Sequence, residues 1–252
     1  MDELHFMLSA DDTAIYAAYN SGDLDYIDTV PNDEISSLNG INPEFGILDN
    51  LGTYYIGFNV NDSIFDGKTE EQAAKMREAI SLLVDRQFIV ESVGQTGHIA
   101  VAESVQQDVA LLGINLEIKS EDWNVFLQDR KDGNFTIARE GWLADYNDPV
   151  NMLEIFTSDS GNNDMQLGKG TPVSSSPDWT AYNDLISQIR TTTDFAARVD
   201  LMHQAEDMLM NTWAVIPIYY YNDVYMQKSN VTGIYATVYG MKYFMYATKS
   251  AQ

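Results

Sequence analysis

Residues 135–149 read FTIAREGWLADYNDP. The first five residues predict a strand that ends at Gly141-Trp142, and the polar, proline-terminated residues after it predict a loop. In α/β proteins, loops at strand ends carry ligand-binding residues, because the sheet holds them in fixed positions. This stretch therefore indicates an α/β sheet and also the place where binding residues are expected.

Helices alternate with strands along the rest of the chain. The strongest helix signal covers residues 69–84, where Thr69 and Gln72 form a capping box and apolar residues recur at helical spacing. A second helix over 101–112 is followed by Gly113, a residue typical of helix C-termini. The alternation predicts the α/β class, with a mixed sheet flanked by helices. The other expected elements are a helix after Asp11 or Asp12, helices over 122–131, 178–191 and 195–211, and strands over 4–8, 24–27, 54–60, 114–118 and 216–221.

Composition excludes several classes of protein. The 252 residues include 14 basic and 38 acidic side chains, for a net charge of −24. Such a charge repels phosphate, so neither nucleic acid nor an anionic membrane surface is an expected partner. The absence of cysteine excludes disulfides, thiolate metal sites and cysteine nucleophiles. The 12% aromatic content indicates a folded chain with a substantial core.

Sequence patterns for catalysis or cofactor binding are absent. The sequence has no H-E-x-x-H, no G-x-S-x-G and no glycine pattern for phosphate binding. The loop over residues 158–164 lacks the order of a calcium loop, and turn chemistry explains it more simply. A carboxylate pair for glycoside hydrolysis stays open, but 38 acids make any one pair weak evidence. We expect no cofactor, no metal and no enzyme activity.

The segments 121–130 and 137–149 combine aromatic, acidic and basic side chains. Trp123, Trp142 and Asp145 offer apolar walls and a carboxylate for an ammonium group, and Arg130 and Arg139 offer guanidinium groups for carboxylates. Those are the groups that a zwitterionic peptide needs. A structural interpretation is equally consistent with the local pattern: the arginines pair with Asp129 or Glu140 and the tryptophans belong to the core.

In these segments the sequence resembles the oligopeptide-binding proteins of peptide ABC importers, the family 5 extracellular solute-binding proteins. The matching runs are EDW..FL..R at 121–130, AREGWLADYNDP at 138–149 and FTSDSGNN at 156–163. Further matches follow in the same order over nearly the whole chain, at residues 20–26, 51–59, 77–86 and 216–221.

The resemblance implies a role for each candidate residue. In that family the aspartate at the position of Asp145 holds the α-ammonium group of a peptide. The residues corresponding to Trp123 and Arg130 line side-chain pockets, and those at Arg139 and Trp142 border the same cleft. The peptide main chain pairs like an added strand, and two lobes close over it. The expected ligand-binding residues are Asp145, Trp142, Arg139, Arg130, Trp123, Tyr54, Tyr55 and Tyr220.

The resemblance also implies a domain organisation. We expect a lobe like that of type II periplasmic-binding proteins. Residues 1–50 would be a β-α-β remnant of the first lobe, 51–215 the second, ligand-binding lobe, and 216–252 the return strand and tail of the first. The family is about twice as long, so most of the first lobe is expected to be missing. Residues 95–97, Gln95-Thr96-Gly97, resemble a splice where the family has a long segment.

Two functions follow as alternatives. The first is a substrate-binding component of a peptide ABC transporter, or a lobe of it, whose partners are an oligopeptide and a membrane permease. Because half a cleft buries a peptide poorly, we expect weak binding unless a second chain completes it. The second is a structural or interaction module, a bare lobe without ligand and open to dimer formation.

The family implies an extracellular or periplasmic location, membrane-associated in the full-length form. We expect the signal and lipid-anchor region to be absent from this chain, since residues 1–5 have neither a basic-apolar leader nor a cysteine. Read without the resemblance, the same residues would suit a cytoplasmic protein.

Overall fold

The computed structural model describes residues 3–93, 97–170 and 173–251. The chain forms two compact units, Met1–Gly52 with Tyr220–Gln252, and Thr53–Tyr219. Helices and strands both occur in each unit, which confirms the α/β class. Of the expected Gln95-Thr96-Gly97 junction, residues 95 and 96 lie outside the described residues.

The described residues form helices, short helical turns and strands. The helices are α1 (Asp12–Ser21), α2 (Asn32–Leu38), α3 (Glu70–Leu83), α4 (Arg86–Phe88), α5 (His98–Ala110), α6 (Trp123–Asp132), α7 (Val150–Leu153), α8 (Thr180–Thr191) and α9 (Phe195–Asn211), with a π-helical turn at Ile89–Val93 and 3-10 turns at Ser63–Phe65 and Glu154–Phe156. The strands are β1 (Tyr26–Ile27), β2 (Phe45–Phe58), β3 (Ile137–Leu143), β4 (Val215–Gln227), β5 (Val231–Thr232), β6 (Tyr235–Ala236), β7 (Lys242–Tyr243) and β8 (Thr248–Lys249).

Local signals in the sequence set the helix ends. The capping box of α3 forms as expected, with Thr69 and Gln72 each accepting from the backbone N–H of the other. Asp11 caps α1, and Gly22 ends it in the left-handed conformation that glycine adopts without strain. Gly113 lies beyond the end of α5, which stops at Ala110.

Two of the expected strands do not form. Residues 4–8 have no strand pairing, and the side chains of Phe6 and Leu8 are exposed, so the first strand of the expected β-α-β unit is missing. Residues 114–118 show the expected alternation of partly buried and exposed side chains, but they too pair with no strand. The expected side-chain pattern is present only at 114–118, and a strand also needs a neighbour that supplies backbone hydrogen bonds.

The first unit packs on a small core of its own. The strand β1 pairs antiparallel with β4, Tyr26 opposite Gln227 and Ile27 opposite Met226. Tyr19 on α1 is buried and donates from its hydroxyl to Glu44 Oε2 at 2.8 Å. The core consists of Tyr19, Ile27, Val30, Leu38 and Met226.

The second unit holds a larger core under its part of the sheet. The strand order there is β4-β2-β3. Asn59 at the end of β2 donates its N–H to Thr136 at the start of β3, so these two strands are antiparallel. The helices α8 and α9 pack against each other and bury Ile186, Ile189 and Ala205. The strand β3 thus lies at one end of this order, and it extends to Leu143, one residue beyond the predicted end at Gly141-Trp142.

Candidate functional site

The side chain of Asn151 organises the loop that follows β3. Pro149 precedes the short helix α7, which places Asn151 in the first turn, buried beneath the loop. Its Oδ1 accepts from Trp142 Nε1 at 3.0 Å and from the backbone N–H of Asp145 at 2.9 Å. One buried amide therefore fixes the tryptophan ring and the backbone that carries the Asp145 carboxylate.

A cavity of about 310 Å³ opens beside Trp142 and Asp145. Glu154 in this cavity is held by Arg190, at 2.8 Å from Nη2, and by the hydroxyl of Tyr146. Burial raises the pKa of Glu154, but these hydrogen bonds outweigh that effect and hold the pKa below its ordinary value. Within the described part of the chain, Asp145 and Asp159 take part in no ion pair. The lining residues are Trp142, Asp145, Asn151, Glu154, Ile155, Thr157, Asp159, Ser160, Asn162 and Arg190.

Aromatic rings surround Arg139. Its guanidinium carbon lies 5.3 Å from the centre of the Tyr54 ring and 5.8 Å from that of Trp123, distances suited to cation–π attraction. Among the described residues no carboxylate lies within ion-pair distance of Arg139, and its Nε is buried without an acceptor. The His98 ring stacks on the Tyr54 ring, with their centres 5.6 Å apart. Burial and the nearby positive charge of Arg139 both lower the pKa of His98.

Arg130 lies in a buried ion cluster. Only 9% of its surface is exposed, and its two terminal nitrogens contact Glu140 Oε2 and, at 3.4 Å, Asp164 Oδ2. The Phe126 ring lies 5.0 Å from the guanidinium carbon. Glu140 is one of the two partners that the structural interpretation named for the arginines, and it pairs with Arg130. Asp129, the other partner named there, pairs with Lys119 instead.

The three predicted tyrosines lie in different surroundings. Tyr54 is 1% exposed and stacks on Tyr219 at 4.6 Å, whereas Tyr55 faces the hydrophobic core, near Phe156. Tyr220 is 78% exposed and belongs to the first unit.

The eight predicted residues therefore fall into separate groups. Trp142 and Asp145 share the cavity, and Arg139, Trp123 and Tyr54 form an aromatic cluster. Side chains alternate along a strand, so Arg139 and Trp142, three positions apart on β3, leave from opposite faces. Trp142 packs on the hydrophobic core, while Trp123 is 53% exposed. The remaining three residues, Arg130, Tyr55 and Tyr220, belong to neither group.

Several residues of the cavity are absent from the sequence-based prediction. No local pattern indicates Asn151, an amide two residues after a proline. None indicates the pair of Glu154 and Arg190 either, because the two residues are far apart in the sequence. Asp159, Ser160 and Asn162 lie in the 158–164 loop, for which turn chemistry was preferred over a calcium loop. In the described segments, no group of three or more His, Asp or Glu residues could hold a metal ion.

A known protein family matches more than half of the chain. The model described as "Bacterial extracellular solute-binding proteins, family 5 Middle" matches residues 1–100 and 92–164. The chain belongs to this family. The resemblance found in the sequence is thereby confirmed, and the family is one of binding proteins rather than enzymes.

Individual relatives are peptide-binding proteins by name. The dipeptide-binding protein DppE of Bacillus subtilis is 26% identical over 300 residues, which cover 93% of this chain and 52% of that protein. The periplasmic oligopeptide-binding protein OppA of Salmonella typhimurium is 31% identical over 172 residues, which cover 66% of this chain and 29% of OppA. The chain spans about half the length of the longer-matching curated relatives.

Solved structures confirm the fold. The Escherichia coli murein tripeptide binding protein MppA matches with a TM-score of 0.71 at 20% identity, covering 88% of this chain and 53% of MppA. A dipeptide binding protein from Pseudoalteromonas sp. SM9913, solved with Met-Leu, matches with a TM-score of 0.74 at 18% identity, covering 96% of this chain and 57% of its own. The predicted likeness to type II periplasmic-binding proteins is confirmed. Within the described ranges, no helix is long and apolar enough to cross a bilayer.

Proposed function

We propose that the chain is the substrate-binding component of a peptide ABC transporter, or a lobe of it, and that it captures oligopeptides. In this proposal Asp145 receives the peptide α-ammonium group, Trp123 and Arg139 line a second pocket, and the peptide main chain pairs like an added strand. The partners are the oligopeptide and a membrane permease. The location is extracellular or periplasmic, and the names of several relatives call those proteins periplasmic.

The observation that carries the proposal is the cavity beside Asp145. Its carboxylate is exposed and takes part in no ion pair within the described residues, while Asn151 fixes its backbone beside the Trp142 ring. Among the described residues that line the cavity, Arg190 is the only basic one, and Glu154 holds it in an ion pair. An anionic cavity with a preset carboxylate and an aromatic wall is suited to a positively charged amino terminus.

The two arginines take different parts in the proposal. Arg139 lacks a carboxylate among the described residues and lies between two rings, so a ligand carboxylate would supply its missing counter-ion. Arg130 already has Glu140 and Asp164 as counter-ions, and its burial favours a structural part for it.

Internal shortening of the chain is also part of the proposal. The family model matches in two parts that meet at residues 92–100, and the match to DppE extends over 300 residues, more than the 252 of this chain. The two compact units divide at Gly52 and Tyr220, within a few residues of the proposed lobe boundaries. This division supports first-lobe segments at 1–50 and 216–252 and a second lobe at 51–215. We therefore expect weak binding by the chain alone, and a second chain that completes the cleft would strengthen it.

Calorimetry with two matched peptide pools tests the proposal. One pool contains tri- to pentapeptides with free amino termini, and the other contains the same peptides N-acetylated. We expect the free pool to bind with at least tenfold higher affinity, about 1.4 kcal/mol, because acetylation removes the charge that Asp145 would pair. Asp145→Asn should weaken the free pool by a similar factor and leave the acetylated pool unchanged.

Asp184→Asn is the matched control, since it removes an exposed carboxylate on α8 outside the cavity. It should leave both affinities unchanged. Equal affinity for the two pools, or no effect of Asp145→Asn, would contradict recognition of the amino terminus. Absence of binding at millimolar peptide would favour the alternative of a bare structural lobe.

A further inference from the structure

The buried cluster around Arg130 contains more acid than base. Glu140 and Asp164 are each 3% exposed, and both contact the same guanidinium group. Lys131 approaches Asp164 Oδ1 only to 3.7 Å, and its side chain is 44% exposed. Arg139 on β3 and Lys169 also act electrostatically on these acids. Two buried carboxylates therefore share one close positive charge.

Each of the two acids also has an oxygen without a donor. Glu140 Oε1 and Asp164 Oδ1 are buried and accept no hydrogen bond from any described residue. An ionised carboxylate is unstable in such a place, whereas a protonated carboxyl has lost its charge. Consistent with this, burial raises the pKa of Glu140 to about 8 against the opposing effect of Arg130, and burial raises the pKa of Asp164 as well.

The same cluster connects α6 to the segment that forms part of the cavity wall. Lys131, next to Arg130 on α6, donates from Nζ to the carbonyl of Gly161 at 2.7 Å. Gln166 donates to the carbonyls of Asp164 and Lys131 at 3.2 and 3.3 Å. Gly161 lies between Ser160 and Asn162, which line the cavity. Asp164 therefore lies within the segment whose hydrogen bonds to α6 hold this wall.

We propose that Glu140 and Asp164 are proton-responsive positioning residues: near neutral pH one of them keeps its proton, and release of that proton to solvent loosens the segment 158–169 and lowers affinity at the cavity. The effect on affinity rests on the proposed function, whereas the effect on the segment 158–169 concerns the fold alone.

Thermal unfolding at pH 5.5 and pH 8.5 tests the part that concerns the fold. An acid whose pKa is raised by folding stabilises the folded state at low pH, and this stability is lost as pH rises from about 4.5 to the folded value near 8. We expect the midpoint of the wild type to fall by several degrees more than that of Glu140→Gln, whose neutral amide resembles the protonated acid.

Glu117→Gln is the control, because it removes one exposed acid and so reports how the overall negative charge responds to pH. Its midpoint should fall as much as that of the wild type. An equal fall in the wild type and in Glu140→Gln would overturn the proposal.

Hydrogen exchange of the wild type gives a second measurement that needs no variant. After correction for intrinsic rates, amides in 158–169 should open more often at pH 8.5 than at pH 5.5, while those of α9 change less. Unchanged opening of 158–169 would also overturn the proposal. This result decides the question even if Glu140→Gln does not fold.

Calorimetry with the free-amine peptide pool at the same two pH values tests the effect on affinity. We expect the wild type to lose affinity at pH 8.5 by more than Glu140→Gln does. Equal loss in both would refute the coupling to the cavity. If the pool binds at neither pH, the proposed function fails, while the unfolding and exchange results still decide whether the cluster responds to protons.

Discussion

The surroundings of Arg130 and Arg139 differ more than their places in the sequence suggest. The two residues are nine positions apart in the same unit, and the Arg139 carbonyl even accepts a hydrogen bond from Arg130 at 3.2 Å. Yet Arg130 is buried against two carboxylates, whereas Arg139 lies between the rings of Tyr54 and Trp123 with no carboxylate partner in the described residues.

The difference shows how an acidic protein can leave one cation without a carboxylate partner among its described residues. With 38 acids, a basic side chain readily finds an internal counter-ion, as Arg130 does. Aromatic neighbours attract a guanidinium group through their π faces without neutralising its charge. Arg139 is thus held in place while its charge stays available, and this property is what a site for a ligand carboxylate requires.

The largest expected effect separates the two arginines by stability. Arg130→Met leaves Glu140 and Asp164 buried without their main counter-ion, and we expect a loss of about 3–5 kcal/mol in the free energy of unfolding. Arg139→Met removes the cation–π contacts and a longer-range attraction to Glu140, and it should cost about 0.5–1 kcal/mol. Urea unfolding at pH 8.5, where the acids of the cluster are most ionised, measures both. Similar losses in the two variants would show that the comparison is wrong.

A double-mutant cycle sharpens the same comparison. Combining Arg130→Met with Glu140→Gln should give a coupling energy of about 1–3 kcal/mol, because Glu140→Gln removes the charge that Arg130 compensates. The matched cycle of Arg139→Met with Glu140→Gln should give less than about 0.5 kcal/mol, since those side chains form no ion pair. Urea unfolding of the single and double variants and the wild type supplies both numbers. A larger coupling for Arg139 would contradict the assignment.

Features that depend on neighbours in the chain are predictable from the sequence. The capping box of Thr69 and Gln72 joins residues three apart, so the start of α3 was readable. Asp164, which completes the Arg130 cluster, is far along the chain from Arg130, and no local pattern links them. The failed strand at 114–118 has the same cause, because its alternation was local and the missing neighbour was not.

The candidate site was predictable to a similar extent. Trp142 and Asp145 were selected through the run that follows β3, and the structure brings both to one cavity. Asn151, which fixes both, could not be selected, because its importance depends on a short helix that turns the chain back under the loop. Tertiary contacts also decide which of Arg130 and Arg139 lacks an ion pair among the described residues.

A smaller effect concerns the rings around Arg139. Trp123→Leu removes one cation–π partner that is half exposed, so we expect a loss of about 0.5–1 kcal/mol in the free energy of unfolding. In the background of Arg139→Met the same substitution should cost less, because no cation remains for the ring to attract. Urea unfolding of these variants measures the difference. Equal costs in both backgrounds would show that the ring contributes only apolar contact area.

The smallest expected effect lies at the rim of the cavity, where Arg190 pairs with Glu154. Arg190→Met should cost only about 0.3 kcal/mol at pH 7, since exposed pairs contribute little. Because folding lowers the pKa of Glu154, this contribution is present at neutral pH and disappears as pH falls below the ordinary carboxyl range. Urea unfolding of the wild type and the variant at pH 7 and pH 3 checks the sign.

Peptide affinity distinguishes this rim pair from a pair that does not line the cavity. Arg190→Met removes the one basic side chain among the described residues of the cavity lining, so the free-amine pool should bind about two- to threefold more tightly, as expected when a like charge is removed near an ammonium group. Arg198→Met breaks the pair with Asp148, which does not line the cavity, and should leave the affinity unchanged. Unchanged affinity in both variants would mean that the ammonium group does not bind near Glu154, and a weaker affinity in Arg190→Met would mean that Arg190 itself contacts the ligand.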